Sequence, residues 1–79
     1  MKTEIIDYHG FTVEEALTDF ERRLWSIDTV EGKRFEVITG QGKIRTAITK
    51  FLNKNLVSWY YAIGNQGCII VNISEYKTK

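Results

Sequence analysis

The apolar residues of this chain recur at two different spacings, and the two alternate along its length. "EIIDY" (residues 4–8) is short, rich in β-branched and aromatic side chains, and stops at His9-Gly10, which is the pattern of a strand. Over residues 11–25 the spacing changes: Val13, Ala16, Leu17, Phe20 and Leu24 share one face of a helix. "FEVIT" (35–39) returns to the strand pattern. Ile44, Ala47, Ile48, Phe51 and Leu52 form a second helical stripe that ends near Asn53-Lys54-Asn55. "VSWYYAI" (57–63) and "CIIVNI" (68–73) read as two further strands. The predicted order is β-α-β-α-β-β.

Local signals mark the joints. Thr12 can cap the first helix, and Glu15 can reach back to complete a capping box. Phe11 and Ala16 hold the positions of a hydrophobic staple, and Glu14 and Glu15 suit the positive end of the helix dipole. "TVEGKR" (29–34) reads as a polar connection, and Gly64-Asn65-Gln66-Gly67 as a hairpin connection. Strands separated by helices are expected to pair in parallel, and the last two to be antiparallel neighbours. The fold class that follows is α/β, with one four-stranded mixed sheet packed on two helices. Strand order, and with it whether both helices share a face, is not set by periodicity.

Seventy-nine residues suffice for one domain, residues 1–79, with one small core and no visible staple. The single Cys68 has no disulfide partner, and with Ile69 and Ile70 beside it reads as a buried small hydrophobe in a reducing compartment. No segment reaches the roughly 20 apolar residues of a membrane span, and the first residues lack the apolar run of a signal peptide. The expectation is a cytoplasmic domain without a membrane partner. A net charge of +1 argues against an extended polyanion-wrapping surface but leaves room for a local basic patch.

Two short stretches carry chemistry. In "FEVITGQGKIR" a strand turns into a helix through Gly40 and Gly42. Such a turn needs backbone angles that glycine reaches cheaply, and it aims the first unpaired amides of the helix outward, where they favour an anion. Thr39 and Gln41 add hydrogen-bonding side chains, Lys43 a mobile charge, and Arg45 a planar fork suited to phosphate. Lys43, Lys50 and Lys54 fall along one helix edge that could follow a phosphate backbone. The plainer reading is a tight turn followed by solubilising lysines.

In "IIDYHG", Asp7 and His9 project to the same side of a strand end. His9 suits general acid or base work, and Asp7 could orient the ring or hold a divalent ion. More plainly, Asp7 caps a turn and His9 packs under a loop. With parallel strands, His9 and the glycine turn share one rim, where an imidazole, a carboxylate and a cationic clamp are expected to converge.

"IIDYHGFTVEEAL", then "FEVITGQGKIRTAITKFL", then "GCIIVNI", resembles the Smr (small MutS-related) domain, which closes the C-terminus of one branch of MutS-like proteins. Ile6, Asp7, Tyr8, His9, Gly10, Glu15 and Ala16 match its first signature. Gly40, Gly42, Ile44 and Arg45 match the glycine-rich turn in kind, and Gly67 to Ile73 match the terminal strand. Thr39 stands where many members carry histidine, and the turn is shorter. The resemblance implies a two-layer α/β sandwich with both helices on one side of the sheet, similar to the C-terminal domain of bacterial translation initiation factor three.

The same resemblance implies DNA or RNA as partner, with this domain as a possible part of a larger MutS-like chain. It also implies structure-directed endonuclease (nicking) activity, with a divalent cation, Mg or Mn, proposed for some members. The contexts are DNA recombination and repair or RNA and ribosome quality control. Asp7 and His9 are then the candidate catalytic residues. Thr39, Gly40, Gln41, Gly42, Lys43, Arg45 and Lys50 are the candidate nucleic-acid-binding residues. A non-catalytic nucleic-acid-binding module and a protein-interaction module remain open beside it. Trp59 and Tyr61 should share one sheet face, with Tyr60 on the other.

Overall fold

The computed structural model describes residues 2–26, 33–40 and 42–73. The "TVEGKR" connection up to Gly32, Gln41 and the last residues lie outside the described residues. The elements are β1 (Lys2–Asp7), α1 (Val13–Trp25), β2 (Lys33–Ile38), α2 (Lys43–Lys54), β3 (Trp59–Ala62) and β4 (Asn65–Asn72), in the predicted order. The sheet runs β1-β2-β4-β3. β1 and β2 are parallel, and β4 is antiparallel to both β2 and β3.

Register explains the layers. Ile6 pairs with Val37, Val37 with Ile69, and Phe35 with Val71, so these residues share one sheet face. They form the core together with Ala16, Phe20 and Leu24 of α1 and Ile48 and Leu52 of α2. Phe20 sits at the centre, edge-on to Phe35 of the sheet and to Phe51 of α2. Full burial of one such side chain contributes about 1.5–3 kcal/mol. Both helices therefore pack on the same face. The opposite face carries Ile5, Glu36, Ile38, Ile70 and Tyr60. Cys68 is a buried free thiol there, and burial pushes its pKa up.

Two expectations are corrected. β3 does not pair with β2, because β4 takes the place between them. β4 is buried at Cys68, Ile69, Ile70 and Val71, on both faces, whereas β3 leaves Tyr60 and Tyr61 exposed and so suits an edge. The hairpin connection is also tighter than Gly64-Asn65-Gln66-Gly67. Only Ile63 and Gly64 lie between the strands, Gly64 has φ 74°, and Asn65 already pairs with Ala62.

The capping box of α1 forms as the sequence implies: the Glu15 amide donates to Thr12 Oγ1 at 3.1 Å, and the Thr12 amide donates to Glu15 Oε1 at 3.1 Å. Phe11 packs edge-on against the Tyr8 ring. A polar network that periodicity does not show ties α1 to the sheet. The buried Tyr8 hydroxyl donates to Asp19 at 2.8 Å, and Asp19 also receives Arg22 and Arg23 at 2.8 and 2.6 Å. Arg23 continues to Glu4, which receives Lys33 at 2.9 Å. Burial alone would raise the Asp19 pKa, but the hydrogen bonds from Arg23, Tyr8 and Arg22 outweigh it and hold the carboxyl below its ordinary range. Burial, with the Asp19 hydrogen bond next, pushes the Tyr8 phenol up.

α2 ends in a Schellman motif. The Val57 amide donates to the Leu52 carbonyl at 2.9 Å and the Leu56 amide to the Asn53 carbonyl at 3.2 Å. The left-handed position is Leu56, with φ 59° and 89% exposure, where glycine is usual. Leu56 buries little there, so the strain is uncompensated by packing. Leu56→Gly is expected to raise stability by about 0.5–1 kcal/mol, because a left-handed residue with a Cβ costs more than the extra chain entropy of glycine. Urea unfolding of the two proteins measures this, and a lower midpoint for the glycine variant would contradict it.

Candidate nucleic-acid interface

The tips of β1 and β2 lie side by side, since Asp7 pairs with Ile38 in the parallel ladder and the Tyr8 amide donates to the Ile38 carbonyl at 2.9 Å. β4 runs the other way, so its first residues reach the same rim. The Thr39 and Gly40 amides both donate to the Gly67 carbonyl, at 2.8 and 3.0 Å. A Cβ on Gly67 would lie 3.3 Å from Asn65 Oδ1 and 3.4 Å from the Gly40 Cα, so the two segments are in van der Waals contact. The glycine turn after β2 is thus fastened to the start of β4.

Gly40 and Gly42 have φ of 66° and 115°, so the reason for glycine in "TGQGK" is conformational. Gly42 is the N-cap of α2 and supplies no side-chain hydrogen bond, and the first turn holds no acidic residue. The start of α2 thus presents a positive helix end without an acceptor from its cap. Lys43, Lys50 and Lys54 are exposed. Lys43 and Lys50 line an open groove of about 450 Å³ with Val13, Gly42, Thr46 and Ala47.

The other site residues fall as follows. Thr39 is 6% exposed, and its hydroxyl donates to the Gly40 carbonyl at 2.8 Å, so its side chain serves the turn. Gln41 lies outside the described residues. Asp7 Oδ1 accepts the His9 amide at 2.8 Å, and the Phe11 amide closes a turn on the Tyr8 carbonyl at 3.0 Å, with Gly10 at φ 88°. Asp7 is therefore a turn cap. His9 is exposed, and no described residue bonds its imidazole. Among the described residues no three His, Cys, Asp or Glu side chains gather as metal ligands.

Arg45 turns away from the β1 tip. Its guanidinium lies 5.8 Å from the Tyr61 ring centroid, and Nη1 donates to the Gln66 carbonyl at 3.4 Å. The β1 and β3 axes are three strand spacings apart, roughly 14 Å. The expected convergence of His9 and Arg45 on one group is therefore not what the fold builds. The two residues share a rim but stand toward opposite edges of the sheet.

A further signal lies in where the charges fall along the chain. No acidic residue occurs between Glu36 and Glu75, an interval that carries Lys43, Arg45, Lys50 and Lys54. The net charge of +1 conceals this, because residues 1–36 hold nine of the ten acidic side chains. Folding turns the partition into a spatial one: α2, β3 and β4 carry cations only, while β1, α1 and β2 carry most of the acids. Arg22, Arg23 and Lys33 are ion-paired on the acidic side, whereas among the described residues Arg45 has no carboxylate partner.

Comparison with known proteins finds no matching family model, no matching curated protein and no matching solved structure. No helix among the described residues is long and apolar enough to cross a membrane.

Gly42 has nothing within 4 Å of a would-be Cβ, so a side chain there meets no neighbour and feels only the backbone angles. Gly42→Ala is expected to cost about 1–3 kcal/mol through that strain. Denaturant unfolding monitored by tryptophan fluorescence reads the loss, and an unchanged midpoint would show that the turn accepts another conformation.

Proposed function

We propose that this chain is a nucleic-acid-binding domain of the Smr type with structure-directed nicking activity on DNA or RNA. The observation that carries the reading is the charge partition. A surface of α2, β3 and β4 with four cations and no acid favours a polyanion, and the glycine-capped start of α2 gives that polyanion a place for one phosphate. Lys43 and Lys50 beside the groove extend the contact along a backbone. The order of the three motifs, Asp7-Tyr8-His9-Gly10, then Gly40 to Arg45, then Gly67 to Ile73, supports the Smr assignment.

In this reading the cationic half binds, and His9 acts at a different phosphate along the same strand. A water or sugar hydroxyl oxygen attacks phosphorus, its proton passes to the His9 imidazole, and the bond to the leaving sugar oxygen breaks. That oxygen takes a proton from solvent or from the imidazolium. The non-catalytic reading has two observations in its favour. Asp7 is committed to the His9 amide and does not orient the ring, and Thr39 stands in place of a second imidazole. Binding then survives and cleavage does not.

The two readings part in solution. Affinity for a short duplex should fall with salt, and Lys43→Ala with Lys50→Ala should lower the slope of log affinity against log salt by about 2, near 0.9 for each phosphate no longer neutralised. Arg45→Ala should weaken binding to every sequence tested. A salt-independent affinity would refute the phosphate site. His9→Ala should bind as the parent does and lose about a hundredfold or more of any nicking, the scale of general acid–base catalysis. Nicking is to be measured with and without EDTA, and full activity in the alanine variant removes His9 from the chemistry.

A further inference from the structure

The sheet edge farthest from His9 carries a cluster that phosphate binding leaves unexplained. β3 is an edge strand, and its helix-side residues are Trp59 and Tyr61, which pair with Val71 and Ile69 of β4. The two rings pack edge to face with centroids 5.1 Å apart and planes at 82°. The Trp59 indole is pinned from below, donating from Nε1 to Asn53 Oδ1 of α2 at 2.9 Å. Arg45 lies over the Tyr61 ring at 5.8 Å and is tethered to the Gln66 carbonyl. Tyr61 is nevertheless 39% exposed, unlike the core aromatics Tyr8, Phe20 and Phe35, which are sealed. Beyond it, Ile63 at the hairpin tip is fully exposed.

This combination is specific in its chemistry. A ring held by a neighbouring ring and a guanidinium keeps its orientation without being buried. A guanidinium 5.8 Å from a ring centroid sets a planar cation beside an aromatic surface, and nucleobases stack on both tyrosine and arginine. Arg45 also stands in the first turn of α2, so the platform adjoins the helix start that suits a phosphate. The surrounding interval is free of carboxylates, which would repel a nucleotide. A base inside a duplex already has both faces stacked, so only an unpaired base can use such a platform.

We propose that Tyr61, with Arg45 over its ring, is the stacking platform for one unpaired nucleobase whose phosphate lies at the start of α2. The inference rests on the nucleic-acid reading and narrows it. The favoured ligand is a strand with a single-stranded segment, such as an overhang, a flap or a loop, rather than continuous duplex.

The test compares a blunt DNA duplex with the same duplex bearing a short single-stranded extension that contains 2-aminopurine. The extended probe should bind about tenfold tighter, the scale of one base–aromatic stack, and its 2-aminopurine fluorescence should be quenched on binding. Tyr61→Leu should remove the preference and the quenching while leaving blunt-duplex affinity unchanged, and Tyr61→Phe should retain both. Circular dichroism and a thermal melt establish that each variant is folded. If Tyr61→Leu does not fold, preference and quenching in the parent protein and the Tyr61→Phe variant decide the matter.

Equal affinity for the two probes, with ordinary salt dependence, overturns the stacking platform and spares the phosphate site. So does an equal loss for both probes in Tyr61→Leu, which would mark a general packing role. Absence of binding to either probe at low salt overturns the phosphate reading and the platform together.

Discussion

The insertion of β4 between β2 and β3 is the constraint from which the remaining geometry follows. It places the most apolar strand at the interior of the sheet, where both of its faces are covered, and sends β3 to the edge with its tyrosines in solvent. It brings Gly67 against Gly40, so that one carbonyl anchors the turn leading into α2. It also sets β1 and β3 at opposite edges. His9 and the Arg45–Tyr61 pair thereby occupy the two ends of one rim.

Charge distributes along the same line. The half built from β1, α1 and β2 uses two of its acids internally: Asp19 and Glu4 collect Arg22, Arg23 and Lys33 into a network that ends on the buried Tyr8 hydroxyl. Exposed ion pairs contribute little each, but here several share carboxylates beside a buried phenol, and they consume cations of a half that is acidic on balance. The other half has no carboxylate to consume its cations. A nearly neutral protein can therefore present a local positive field, because attraction to a polyanion is governed by charge within about a Debye length, about 8 Å at physiological salt, and not by the total.

The two short motifs have different characters once folded. In the glycine turn, backbone does the work: positive φ values, an N-cap without a side chain and a carbonyl clamp shape the start of α2, and the Thr39 hydroxyl is consumed in holding that shape. In the β1 turn, the Asp7 side chain stands in for backbone by accepting the His9 amide, and the imidazole is left to solvent. Phosphate binding asks for the first kind of structure. General acid–base chemistry asks for an oriented imidazole, which the Asp7 turn does not supply.

Short-range physics was legible in the amino-acid order. The two helical stripes, the Thr12–Glu15 capping box, the element order and the conformational need for Gly40 and Gly42 all depend on residues within a few positions of one another. The absence of acids between Glu36 and Glu75 was equally present, visible by interval and hidden in the sum. What required the tertiary structure was every relation between distant segments: β4 beside β2, Asp19 under Tyr8, and Arg45 over Tyr61 instead of toward His9. Periodicity states which face of an element is buried, but strand order is decided by how well whole strands cover one another's apolar faces. That competition among all the elements at once is not encoded at any single position.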